Sequence, residues 1–188
     1  NKEDILNKED PYSFSRPWNK ENNLLIQGDN LISLQLLLKR YDLRGKIDFI
    51  YIDPPFATNN VFVIGEERTR TISGSNADKI AYKDTLLGEE FIEFLRERLI
   101  LAYELLSEKG SIYVHLDYKI GHYIKIAMDE IFGIENFRND IARIKCNPKN
   151  FAKTSYGNIK DLILFYTKTK NNIWNDINTP FSEEDIKR

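Results

Sequence analysis

Apolar positions along the chain fall into two alternating patterns, short unbroken runs and longer stretches with helical spacing. Leu24, Leu25 and Ile26 form the first short run, predicting a strand over residues 24–27 that ends at Gly28-Asp29. Leu31, Leu34, Leu38 and Tyr41 then recur every three or four residues, the spacing of a helix with one apolar face. Asp29 or Asn30 is a suitable N-cap for it, because a short side-chain oxygen can accept from the free N–H groups of the first turn. In KIDFIYI every residue from Phe49 to Ile52 is apolar, which predicts a strand covered on both faces, as in a parallel sheet. Residues 57–84 show no clear period and are rich in Asn, Thr, Ser and Gly. They read as a long loop, and loops of that length usually carry function.

Phe91, Leu95, Leu99, Ala102 and Leu106 make one stripe of a helix over 89–107, and Gly110 turns the chain into a buried strand, SIYVHL. Ile120, Ile124, Ala127 and Ile131 mark a further helix, closed by Gly133. DIARIKC and DLILFYTKT follow with no helix between them, which predicts an antiparallel strand pair. Residues 1–22, polar and containing Pro11 and Pro17, read as an extended lead-in, and residues 171–188 as the irregular start of a following region. Alternating strand and helix ending in an antiparallel pair predicts an open α/β sheet. Ligands of such sheets bind beyond the carboxyl ends of the strands, where both Gly28-Asp29 and Asp53-Pro54-Pro55-Phe56 fall.

The 188 residues suffice for one domain with a core, and a net charge of −2 argues against a chain that is basic throughout. Positive charge is instead local. Between Arg138 and Lys170 eight bases face only Asp140 and Asp161, a balance of +6. Lys145, Asn147, Lys149 and Lys153, with Phe151 and Tyr156 interleaved, read as a loop offering phosphate contacts and ring stacking. A single cysteine, Cys146, fits a reducing cytoplasm, and neither the charged start nor any apolar run suggests a membrane anchor. His115, His122 and Cys146 lack metal-ligand spacing, so no metal is expected. His115 and Asp117 end the SIYVHLD strand, where His115 reads as a satisfied structural histidine.

Why the FIYI strand ends in Asp-Pro-Pro-Phe is the sharper question. Prolines donate no N–H and fix φ, so they end a ladder stiffly. The Asp-Pro-Pro-Phe sequence resembles the Asp/Asn/Ser-Pro-Pro-aromatic motif of DNA amino-methyltransferases that use S-adenosylmethionine. LLIQGDNLISLQLLL, KIDFIYIDPPF, FLRERLILAYELLSEKGSIYVHLDYKIGHYIKIAMDEIFG and NFRNDI resemble, in that order, the β-class adenine-specific enzymes, above all the modification subunits of type III restriction systems. The likeness runs over roughly residues 11–170, with 23–170 as a catalytic half.

That resemblance implies a Rossmann-like sheet and methyl transfer to the N6 amino group of adenine in double-stranded DNA, with N4 of cytosine as the nearest alternative. Asp53 and the Pro54 carbonyl would hold the amino hydrogens, Pro55 would stiffen the turn, and Phe56 would stack on a flipped base. Gly28, Asp29 and Asn30 would lie beside the adenosine part of the cofactor, although capping by Asp29 explains the same residues and both can hold. The family's F-x-G-x-G turn for the methionine end is not found, since FGIEN at 132–136 has the wrong spacing. It is expected in a C-terminal half or a second polypeptide, and a restriction subunit or a homodimer are further implied partners. A non-catalytic DNA-binding or scaffold subunit of a split enzyme is the other reading that the sequence leaves open.

Overall fold

A computed structural model describes residues 23–54, 61–64, 69–70, 79–83, 88–145 and 158–176. The described elements are α1 (Asn30–Lys39), β1 (Ile47–Ile52), β2 (Val61–Ile64), β3 (Thr69–Arg70), β4 (Lys79–Lys83), α2 (Glu89–Leu105), β5 (Leu106–Leu116), α3 (Gly121–Phe132), β6 (Phe137–Ile144) and β7 (Lys160–Thr167). The main sheet has the order β1-β5-β7-β6. β1 and β5 are parallel, joined through α2, while β7 runs antiparallel to both β5 and β6. This is the expected α/β sheet with its closing antiparallel pair.

The core lies between this sheet and its helices. Phe91, Leu95, Leu99 and Ala102 of α2 meet Ile112, Val114 and Leu116 of β5, and α3 adds Ile124, Met128 and Phe132. Each fully buried side chain of this size contributes about 1.5–3 kcal/mol. A second stripe of α2, Ile100, Leu101 and Leu105, receives Leu38 of α1 and Leu43 beyond it. The two stripes leave α2 buried between α1 and the sheet.

Two chain reversals set the strand ends. At the first, β5 leaves α2 without a loop, and its pairing to β1 shifts between Ile47↔Leu106 and Phe49↔Ser111. Gly110 sits in that irregularity, where a Cβ would lie 2.3 Å from Leu106 Cδ2 and 2.9 Å from the Ile47 carbonyl oxygen. At the second, Asp117 Oδ1 accepts from the N–H groups of Lys119 and Ile120, at 3.0 and 3.2 Å, and starts the turn into α3. α3 ends at Gly133 with φ +87°, a conformation that side chains with a Cβ avoid.

Three expectations are corrected. Residues 24–27 form no strand, and Leu25 is 95% exposed. Among the described residues no strand pairs with this segment, and an apolar run without a ladder partner cannot hold an extended conformation by itself. β1 is covered on one face rather than two. Its Ile50 and Ile52 pack on the helix-side core, while Phe49 and Tyr51 point the other way and are exposed. Residues 57–84 are not one long loop, because β2 pairs antiparallel with both β3 and β4 in a small separate sheet. Its central strand is the run Val61-Phe62-Val63-Ile64, a composition that suits strands even without alternation. The lead-in 1–22 and residues 177–188 lie outside the described residues, whereas 171–176 are irregular as expected.

Candidate active site

The face of the sheet opposite the helices carries a row of aromatic rings. Phe49 lies 5.6 Å from Tyr113, Tyr113 stacks on Phe165 at 4.4 Å, and Trp174 covers Phe165 at 6.2 Å. Strand side chains alternate, so residues two further along each strand stay on this face. The chain after β1 therefore brings Asp53 to the same face as Tyr51. Register does the same for β5, since Tyr51 pairs with Tyr113 and Ile52 with Val114, leaving Asp53 beside His115.

The four strand ends at this edge meet in one polar cluster. His115 Nδ1 lies 3.0 Å from Asp53 Oδ1. His115 Nε2 lies 3.4 Å from Asp161 Oδ2, because Asp161 stands on β7 two residues before Ile163, the partner of His115. Arg143 of β6 is paired in register with Asp161 and donates to its Oδ2 at 3.1 Å, and Lys145 Nζ sits 2.5 Å from Oδ1. Asp161 is 2% exposed and His115 7%, while the Asp53 side chain is 58% exposed. The cluster is thus a line of charge running from a solvent-facing carboxylate to a buried one. Burial pushes the Asp161 carboxyl up, but hydrogen bonding and charge from Lys145 and His115 outweigh it and hold the group below its ordinary value.

Pro54 is half-buried at the end of β1, and Pro55 and Phe56 lie outside the described residues. At the start of α1, Asp29 Oδ1 accepts from the N–H groups of Leu31 and Ile32 at 2.9 and 3.2 Å, so Asp29 is the N-cap. Asn30 Oδ1 accepts from Arg98 Nε at 2.6 Å, and Arg98 Nη2 lies 3.7 Å from Asp29 Oδ2. Arg98 is itself buried on α2, its guanidinium 3.4 Å from the centroid of the Phe94 ring. Burial lowers its pKa, and the charges of Asp29 and Glu97 oppose that shift. This contact ties the beginning of α1 to α2. Gly28, with φ +150°, has open space where a Cβ would stand.

Of the basic segment, Arg143 and Lys145 face Asp161 but keep 56% and 39% of their side-chain surface. Arg138 donates to the Thr169 carbonyl at 3.1 Å and Lys168 to that of Leu106 at 2.7 Å, so both serve the fold. Asn147, Lys149 and Lys153 lie outside the described residues, as do Cys146, Phe151 and Tyr156. Among the described residues no group of three His, Cys, Asp or Glu side chains could hold a metal ion. No described helix is long and apolar enough to cross a membrane.

Sequence reasoning assigned His115 only a structural part and counted Arg143 and Asp161 merely as charges. The signal was present in their positions. Each is a polar residue close to the end of its strand, and those ends lie on one edge. What the sequence could not supply was the order β1-β5-β7-β6, which makes those ends neighbours.

Residues 47–188 match the N6_N4_Mtase family model, described as DNA methylase. Over 154 residues the chain is 40% identical to the type II methyltransferase M.EcaI of Enterobacter cloacae, covering 81% of this chain and 31% of that protein. It is 35% identical over 140 residues to the probable type III restriction-modification enzyme HindVI Mod subunit of Haemophilus influenzae, covering 74% of this chain and 16% of that protein. A solved structure, the PvuII DNA methyltransferase (cytosine-N4-specific), is similar with a TM-score of 0.48 and 16% identity over 80% of this chain and 57% of that one. The chain therefore spans less than a third of the length of the two curated relatives named. With the family model matched across most of its length, the chain belongs to the N6/N4 DNA methylase family.

Proposed function

We propose that this chain is the catalytic half, over residues 23–170, of a cytoplasmic DNA methyltransferase. Its reaction moves a methyl group from S-adenosylmethionine to N6 of adenine, in the setting of restriction and modification. The observation that carries the reading is the placement of Asp53. It is a half-exposed carboxylate at the carboxyl edge of the sheet, backed by buried His115 and followed by Pro54.

An exocyclic amino nitrogen is a weak nucleophile because its lone pair is delocalised into the ring. The Asp53 carboxylate and the Pro54 carbonyl can accept both amino hydrogens. That draws the nitrogen toward tetrahedral geometry and frees its lone pair for in-line attack on the sulfonium methyl. The S–CH3 bond breaks to leave a neutral thioether, and the amino proton displaced is lost through Asp53 to water. No enzyme nucleophile is needed. Phe56 would supply the apolar face for a base turned out of the duplex. Lys145, Asn147, Lys149 and Lys153 would contact the DNA backbone.

Gly28 leaves room at the start of α1, and the half-exposed Asp29 carboxylate next to it can accept from a hydroxyl or amino group, with Asn30 held alongside by Arg98. These residues fit the adenosine part of S-adenosylmethionine, whose sulfonium supplies an activated methyl group. The methionine end calls for a glycine-rich F-x-G-x-G turn, which this reading assigns to a further segment or a second polypeptide. A restriction subunit or a second copy would be the assembly partner.

Incubating the complete enzyme with duplex DNA and methyl-labelled cofactor, then digesting to nucleosides, tests the reading. Label in N6-methyladenine is expected. Label in N4-methylcytosine would transfer the mechanism to the other amino group, and unlabelled DNA would overturn the proposal.

A further inference from the structure

Asp53 alone is a poorly defined acceptor. More than half of its side chain is exposed, and a carboxylate on a short stem can turn about its terminal bond to present either oxygen to water. Among the described residues, the side chain within hydrogen-bond distance of it is His115, at 3.0 Å from Oδ1. That imidazole is itself fixed. It is 7% exposed, its strand is paired on both sides, and its second nitrogen lies 3.4 Å from an Asp161 oxygen. Asp161 is held in turn by Arg143 at 3.1 Å and Lys145 at 2.5 Å.

We propose that His115 is a positioning residue. Its Nδ1–H donates to Asp53 Oδ1, holds the carboxylate in one rotamer and leaves Oδ2 to accept from the substrate amino group, while Asp161, backed by Arg143 and Lys145, fixes the ring from behind. The inference rests on the proposed role of Asp53. An ionised carboxylate can only accept, so each contact needs a proton on the ring nitrogen that faces it: Nδ1–H toward Asp53 and, on the imidazolium, Nε2–H toward Asp161. Second partners of this kind orient the groups that do chemistry in many sites, and displacing an acceptor by about 1 Å can reduce a rate by about 10²-fold.

Two variants of the complete enzyme separate positioning from packing. His115→Asn keeps an N–H donor close to the Nδ1 position, whereas His115→Gln places its amide further out, near Nε2. Single-turnover methyl transfer at saturating DNA and cofactor should fall by about 10²-fold in the Gln variant and be largely recovered in the Asn variant. DNA affinity and melting temperature should move together for both. Equal rates for the two folded variants, or a parental rate in the Gln variant, would overturn the proposal.

A second measurement does not depend on turnover. In the nitrogen-15 spectrum of labelled histidine, the His115 ring should show a protonated Nδ1 whose resonance shifts on Asp53→Asn. An Nδ1 signal indifferent to that substitution would overturn the inference even if the parent methylates DNA. If the parent transfers no methyl group while the signal shifts as expected, the functional reading fails and the Asp53–His115 pairing stands.

Discussion

Asp161→Asn removes one charge at constant size from the most enclosed point of the site. In the structure this carboxylate is 2% exposed and faces Lys145 at 2.5 Å, Arg143 at 3.1 Å and His115 at 3.4 Å. Breaking a wholly buried ion pair costs about 3–5 kcal/mol, because the surviving charge is left without water. Here Lys145 and Arg143 keep 39% and 56% of their side-chain surface and can turn to solvent, so most of that penalty is avoided. The remaining loss is the set of charge-assisted hydrogen bonds, together about 1–3 kcal/mol. For a chain of this size that lowers the melting temperature by roughly 2–4 °C per kcal/mol.

The dependence on pH carries the sharper test. Asp161 is held below its ordinary value of 3.8 in the fold, so its contribution is present above that value and disappears as pH falls through the folded pKa. Urea denaturation of parent and variant, followed from neutral pH into acid, should show a stability gap that is full at neutrality. The gap should close only below 3.8. Equal stabilities at neutral pH, or a gap that persists undiminished in acid, would refute the argument.

Other perturbations follow from the same geometry. Gly110→Ala places a methyl group against Leu106 and the Ile47 carbonyl, so it should lose about 1–3 kcal/mol by overpacking, read as a lower melting temperature. A variant as stable as the parent would mean that β1 and β5 tolerate a wider approach. Phe56→Ala should slow methyl transfer while Phe56→Tyr preserves it, since stacking is worth roughly 1–3 kcal/mol per base and needs no hydroxyl. Equal rates in all three proteins would leave the ring without a part in the reaction. Neutralising Lys145, Lys149 and Lys153 together should weaken binding to every DNA sequence and flatten its salt dependence, and an unchanged salt titration would remove them from the interface.

Much of the fold was legible because period and composition agree over α2, β5 and α3. Each carries a strong apolar pattern that packing then reinforces. The antiparallel closing pair followed from the missing helix between two strand patterns. Residues 24–27 misled for a physical reason, because strand propensity is realised only when a neighbouring ladder exists, and the described residues provide none. Phe49 and Tyr51 misled in a related way. An unbroken apolar run predicts two covered faces, yet the described helices pack on one side and the rings form a stripe on the other. In the site, Asp53 stood out because Asp-Pro-Pro-Phe is an unusual way to stop a strand. His115 and Asp161 did not, since their meaning depends on strand order and register, and these are properties of the assembled sheet.

The central claim is that Asp53 acts on the reacting amino group and not on the DNA backbone. Single-turnover transfer of labelled methyl groups by Asp53→Ala, measured beside its affinity for the same duplex, tests it most directly. Loss of transfer with near-parental DNA binding is the predicted result; transfer at a near-parental rate would contradict it.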